Sequence, residues 1–170
     1  LKRNDPSAVA KQVSLTELGS IKINKEERGK MLKAIPRNSV IGFLIGVLPG
    51  AGATIASFLA YGMERNFVSD EEKEKFGKGS VHGLTAPETA NNAACSGAFV
   101  PLLTLGIPGS GTTAVMLGAL LGFGIQPGPR LYITNPEIFW SVIMSMYIGM
   151  VVLLILNLPL IPYIARILAV

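Results

Sequence analysis

Two six-residue segments join backbone permissiveness to hydroxyl chemistry: Pro49-Gly50-Ala51-Gly52-Ala53-Thr54 and, 59 positions later, Pro108-Gly109-Ser110-Gly111-Thr112-Thr113. A helix restarting after such a break presents up to four unpaired N–H groups and roughly half a positive charge, so Thr54 and Thr113 each begin a half-helix suited to a carboxylate. The ends before the breaks, at Leu48 and Ile107, offer carbonyls of the opposite polarity, and carbonyls with Ser and Thr hydroxyls are what a sodium ion needs. Small residues at 50–53 and 109–112 let a solute touch the backbone. The expected binding set at the breaks is therefore Gly50, Ala51, Gly52, Thr54, Gly109, Ser110, Gly111, Thr112 and Thr113, with Thr54, Ser110, Thr112 and Thr113 forming the solute and ion site where the breaks meet.

Asn91 and Asn92 join the set because an unpaired amide in lipid costs several kcal/mol, so both should face protein or a water-filled cavity. Interhelical hydrogen bonding and a part in the transport site remain equally open for them. Other chemistries fail on the residues. Gly50-x-Gly52 is followed by Ile55 and no Gly-Lys-Ser/Thr occurs, which excludes the dinucleotide and P-loop readings. Neither Ser110 nor Cys95 has a general base, so an enzyme is not expected. The single Cys95 reads as a small packing residue and the single His82 falls in a polar connector, which leaves no disulfide framework and no Cys/His metal site. No cofactor is implied beyond a coupling sodium ion.

The elements that must hold these residues follow from where the charges are. Residues 38–63, 89–129 and 138–165 contain no Lys, Arg, Asp or Glu, while residues 1–37 hold nine of the fifteen basic residues. A soluble domain spreads its charges over every surface segment. This distribution predicts an all-α polytopic membrane protein with the basic segments on the cytoplasmic side. The net charge of +4 has no aromatic-basic interleaving beside it, so no nucleic-acid partner is expected. The chain opens at Leu1 in polar sequence and is expected to be part of a larger permease.

Residues 1–35 read as a polar cytoplasmic arm, helical from about Glu26 to Lys33. Residues 36–63 would make a helix near the span of a bilayer, but Pro49-Gly50 cuts them into halves too short to cross the roughly 30 Å core. A re-entrant helical hairpin with its tip at 49–53 fits, and a single kinked span is the alternative. Residues 64–84 form a cytoplasmic connector with a short helix at 69–78, capped by Ser69 and Glu72 and carrying the Glu71/Lys75 pair. Thr85-Ala86-Pro87-Glu88 reads as a second capping box, opening a discontinuous membrane helix over 85–123 in two pieces, 86–105 and 113–123. A loop at 124–134, a transmembrane helix over 135–160 with its core from Ile138 to Leu156, and an interfacial end at 161–170 complete the chain. Asn157, Pro159 and Pro162 should stop the last span.

The strings Leu48-Pro-Gly-Ala-Gly-Ala-Thr-Ile-Ala-Ser-Phe58, Ala86-Pro-Glu-Thr-Ala-Asn-Asn-Ala93, Pro101-Leu-Leu-Thr-Leu-Gly-Ile-Pro-Gly-Ser-Gly-Thr-Thr-Ala-Val115 and Gly124-Ile-Gln-Pro-Gly-Pro129 closely resemble the large membrane subunit of tripartite tricarboxylate transporters, the TctA-type permease. The resemblance covers nearly all of residues 36–165. It implies one half of a two-repeat secondary transporter fold in the bacterial inner membrane, multi-pass, with a small four-helix membrane subunit and a periplasmic solute-binding protein as partners. Its substrates would be citrate or related organic acids taken up by symport with an ion, without ATP. Family members of about three times this length carry an earlier repeat with its own breaks, so this chain alone should not transport. A two-repeat sodium-coupled dicarboxylate carrier and a channel-like membrane protein are the alternatives; a channel needs a continuous pore, which two capped breaks disfavour.

Overall fold

The computed structural model describes residues 23–168. Every regular element among them is helical: α1 (Lys25–Val47), α2 (Gly52–Phe67), α3 (Asp70–Lys73), α4 (Val81–Gly97), α5 (Phe99–Leu105), α6 (Gly111–Gly122), α7 (Leu131–Thr134) and α8 (Pro136–Leu168). The expected arm at 1–35 lies largely outside these residues. Asn24–Ser141 forms one compact unit, and the described part of the other is the remainder of α8.

Helices α1, α2 and α4 are the frame of the first unit, and one sequence device builds all three. Their buried residues recur every fourth position: Ala34, Asn38, Gly42 and Gly46 on α1, Ala56, Ala60 and Glu64 on α2, and His82, Ala86, Ala90 and Ala94 on α4. Residues four apart share one helix face, so each helix offers a narrow stripe of mostly small side chains that lets backbones approach closely. At Gly42 and Gly46 there is no room for a side chain, because an added Cβ would run into the backbone of Ala90 and Ala94 respectively. Those pairings make α1 and α4 parallel. Ser57 meets Pro87 and Glu64 meets His82, so α2 runs against both.

Several boundaries differ from expectation for identifiable reasons. α1 is one helix through Pro36, not a short helix followed by a membrane block at 36. It starts at a capping box of Asn24 with Glu27, and its buried stripe continues unbroken on both sides of the proline, which sits on the exposed face. α2 extends through Phe67 and α4 begins at Val81, so both ends of the expected 64–84 connector are helical. Ser80 caps α4 by accepting from the Gly83 amide at 3.0 Å, which leaves the expected Thr85/Glu88 box inside the helix. Neither half of the expected capping box forms: Ser69 makes no side-chain cap, and the Glu72 carboxylate goes to Lys75 at 2.7 Å and Lys30 at 3.1 Å. Those two hydrogen bonds hold the Glu72 carboxyl below its usual range and tie the connector to α1. The Glu71/Lys75 pair is present at 3.3 Å.

The expected helix over 86–105 bends at Ala98 into α4 and α5, where Pro101 cannot donate to the Gly97 carbonyl. α5 then ends at Gly106, whose φ of 72° closes the turn against the carbonyls of Leu102 and Pro101. The exit loop contains α7 and folds back on α5 through a Gly128 amide that donates to Leu103 O at 3.2 Å. α8 does not stop at Asn157, Pro159 or Pro162. The Asn157 amide bonds back to Leu153 O at 2.8 Å, and the apolar sequence offers the backbone no partner outside the helix. Its stretch Pro136–Ile161 is the one described helix long and apolar enough to cross a membrane, and α6 is a shorter apolar helix.

Candidate functional site

The two breaks, 59 positions apart in sequence, touch. The Gly50 amide donates to the Gly109 carbonyl at 3.3 Å, and a cavity of about 680 Å³ opens between the segments. Gly50, Gly52, Thr54, Gly109, Ser110, Gly111, Thr112 and Thr113 all line it. Of the other three expected residues, Ala51 is used in the turn, its amide donating to Leu48 O at 3.2 Å. Asn91 lines an adjoining space of about 360 Å³ that shares Thr54 with the first. Asn92 is brought to neither: it is exposed, and its amide bonds the Glu88 carbonyl one turn back at 3.0 Å.

The first turns of α2 and α6 both border this cavity, and helix geometry leaves their leading amides without intrahelical acceptors. Among the described residues, no Lys, Arg, His, Asp or Glu lines it. Its positive character therefore comes from backbone alone, from two helix N-termini acting on one space.

The hydroxyls divide into two groups. Ser110 caps α6, its Oγ accepting from the Thr113 amide at 3.2 Å, while Thr113 Oγ1 accepts from the Ser110 amide at 2.8 Å and donates to the Ser110 carbonyl at 2.9 Å. Thr113 is buried at 2% exposure with its hydroxyl already satisfied. Thr54 and Thr112 are exposed, and their hydroxyls have no hydrogen bond to any described residue. Asn91 donates to Ser57 Oγ at 3.1 Å, and that hydroxyl lies 3.0 Å from Ala53 O and 3.2 Å from Pro87 O. Asn91 thus serves helix pairing at the edge of the site.

The carbonyl ends expected to hold a cation do not reach the cavity. Neither Leu48 nor Ile107 lines it, and Leu48 O already accepts the Ala51 amide, since the chain turns tightly between the helices. Cys95 is exposed on the cavity wall with Phe99 one turn on, not packed inside as expected. The spacing of Asn91, Cys95 and Phe99, four apart on one face, was the available signal.

A second polar group went unrecognised in the sequence. Glu64 is wholly buried, and its carboxylate accepts from Arg37 Nη2 at 2.6 Å, Arg37 Nε at 3.0 Å and Asn38 Nδ2 at 2.8 Å. His82 Nδ1 lies 2.8 Å from Glu64 Oε1, so His82 is a buried partner and not a connector residue. Sequence distance hid the cluster: Arg37 and Glu64 looked like flanking charges, and only the antiparallel hairpin brings them together.

A family description, the tripartite tricarboxylate transporter TctA family, matches residues 2–170. Two similar proteins come from Agrobacterium vitis. An uncharacterized 52.8 kDa protein in the TAR-I ttuC' 3'region is 40% identical over 159 residues, which is 94% of this chain and 31% of that protein. An uncharacterized protein in the TAR-II ttuC' 3'region is 48% identical over 120 residues, 71% of this chain and 49% of that protein. The chain thus spans about a third to a half of the length of these relatives. No solved structure matches it.

Proposed function

Because this chain belongs to the tripartite tricarboxylate transporter TctA family, we propose that it forms one of two repeats of a membrane permease whose solute site is the cavity between the breaks. The observation that carries this reading is the convergence of two helix N-termini on a space that no charged side chain lines among the described residues. Such a site suits the carboxylates of an organic acid: the N–H groups attract the anion, and small residues at 50–52 and 109–111 admit it to the backbone. A fixed Lys or Arg would hold a multiply charged acid tightly. Backbone dipoles bind it and also release it.

In this proposal 1–37 and 64–84 lie in the cytoplasm of a bacterium and 124–134 in the periplasm, with α1 and α2 entering the inner membrane as a re-entrant hairpin. Thirteen of the fifteen basic residues fall in the two former segments, which supports that orientation. A periplasmic binding protein would deliver the acid and a small four-helix subunit would complete the assembly. Sodium would neutralise part of the acid's charge at the free hydroxyls of Thr54 and Thr112.

Cys95 gives the test, because it lines the proposed site and is the one thiol in this chain. In membranes holding the complete permease, its modification by a maleimide should slow several-fold when a transported tricarboxylate and sodium are added together. Cys95→Ser supplies the background. Labelling that is indifferent to every acid the complex takes up would remove the cavity from the transport path.

A further inference from the structure

The Glu64 cluster lies away from the cavity: ten residues separate Glu64 from Thr54, about 15 Å along α2 at 1.5 Å per residue. Transport chemistry leaves it unused. Its construction points to another task.

The stripes that pack α1, α2 and α4 repeat every four residues and, apart from Asn38, Glu64 and His82, are made of small side chains. After a four-residue slip, Ala60 would occupy the place of Ala56 and the apolar contacts would be nearly the same. Small-residue packing therefore brings these helices close without fixing their register. A slip of that size would displace Thr54 by about 6 Å from its place beside the α6 N-terminus.

A buried polar group breaks this degeneracy, since it is satisfied in one register only. Glu64 receives donors from two helices at once, Arg37 and Asn38 on α1 and His82 on α4. An ionised carboxylate only accepts, so the His82 proton sits on Nδ1, and four donors fill the roughly four lone-pair positions the carboxylate has. With these four donors in place no position is left for a cation. Asn38 is bound to the same carboxylate and to Ala34 O, and it leaves its own Oδ1 buried without a donor. An apolar residue would avoid that cost, so the amide is present for its pairing and not for packing.

We propose that Glu64 is a positioning residue: by gripping α1 and α4 together it keys the register of α2, and so sets the α2 N-terminus opposite that of α6 across the cavity. The key keeps its charge throughout transport.

The test has two arms in the complete permease. The first reads register directly in a Cys95→Ser background, by oxidative cross-linking of Ser57→Cys with Asn91→Cys, whose parent side chains are hydrogen-bonded at 3.1 Å. Adding Glu64→Gln should lower the cross-link yield several-fold. The second arm, in protein with native Ser57 and Asn91, measures uptake of a labelled tricarboxylate at matched membrane abundance. Glu64→Gln should raise the half-saturating concentration by about tenfold, equivalent to ~1.4 kcal/mol, with a pH profile parallel to the wild type. Arg37→Lys keeps the charge but loses the guanidinium fork. It should show the same losses in smaller measure, so the test survives if Glu64→Gln does not accumulate. Wild-type cross-linking in both variants overturns the proposal, and so does a flattened pH profile, which would make Glu64 a proton site. The uptake arm rests on the transport reading. The cross-link arm does not, so absence of saturable uptake by the unaltered complex is seen apart from failure of the key.

Discussion

The two Pro-Gly-x-Gly-x-Thr segments have matching sequence registers and unlike construction. Ala51 and Ser110 stand at the same place before α2 and α6, and Thr54 and Thr113 stand three residues on. At the second break Ser110 has extended backbone, with φ −154° and ψ 167°, and closes a capping box with Thr113. At the first, Ala51 has helical backbone and no side-chain cap, held between Gly50 and Gly52 at φ 84° and 68°. Neither Gly109 nor Gly111 has a positive φ. One break is thus shaped by left-handed glycines and leaves Thr54 without a partner, whereas the other is shaped by a cap that consumes the corresponding Thr113. A repeated motif need not repeat a role. The second break anchors a helix through its cap, and the first does not.

The largest expected effect is on the meeting of the breaks itself. Gly46 lies where α1 crosses α4, and its carbonyl is 3.5 Å from where a Cβ on Gly109 would be, so it supports both the frame and the second break. Gly46→Leu would drive a side chain into the Ala94 backbone, which unlike a flexible side chain cannot move aside. The cost should reach or exceed the ~1–3 kcal/mol usual for overpacking. Immunodetection in membranes should find the protein nearly absent; normal abundance would mean that the close α1/α4 contact is dispensable.

Next in size are the glycines, which should separate the breaks cleanly. Gly50→Ala and Gly52→Ala force an L side chain into left-handed backbone at about 1–2 kcal/mol each. Gly111→Ala meets open space with no such strain, so its thermal stability should match or slightly exceed the wild type. Thermal unfolding of the detergent-purified complex reads the difference. Equal losses at Gly52 and Gly111 would show the two breaks to be built alike.

Much of this was legible in advance because the strongest signals are local. The positions of the two breaks, the apolar span in α8 and a predominantly helical chain all follow from residues adjacent in sequence. The period-four stripes were equally present in the sequence, but a search for charge-free blocks passes over Gly42, Gly46, Ala56 and Ala60, whose meaning is close packing and not hydrophobicity. Two kinds of information were out of reach. Arg37, Glu64 and His82 form one cluster only after the hairpin closes, and a proline's type does not say whether the helix around it continues or breaks. Pro36, Pro159 and Pro162 lie inside helices, whereas Pro49 and Pro108 lie in breaks beside glycines that change the chain's direction.

The threonines give an opposite pair of effects. Thr113→Val leaves the Ser110 amide without its acceptor in a site that is nearly sealed, a loss of about 1–3 kcal/mol that should appear as reduced abundance. Thr54→Val removes an exposed hydroxyl with no partner among the described residues, so stability should stay within ~0.5 kcal/mol. Its consequence belongs in transport, as a raised half-saturating sodium or acid concentration at matched abundance. If Thr54→Val lowers abundance and leaves half-saturation alone, the first break is structural too.

The smallest effects come from exchanging the residues that distinguish the breaks. Ser110→Ala removes a cap worth about 1 kcal/mol, because the Thr113 amide then loses its acceptor. The reverse exchange, Ala51→Ser, restores the letters of the second break to the first and would be expected from sequence alone to gain that same ~1 kcal/mol. The backbone argues otherwise. A capping serine needs extended φ and ψ to aim its Oγ at the amide three residues on, and Ala51, at φ −66° and ψ −47°, is helical. Reaching the capped geometry would mean rebuilding both flanking glycines and giving up the Gly50 to Gly109 hydrogen bond. Ala51→Ser should therefore change the melting temperature of the complex hardly at all and leave half-saturation for the acid where it was. A clear gain in stability accompanied by weaker uptake would show that the first break can take up the second's conformation, and that the left-handed glycines select between two forms of one motif.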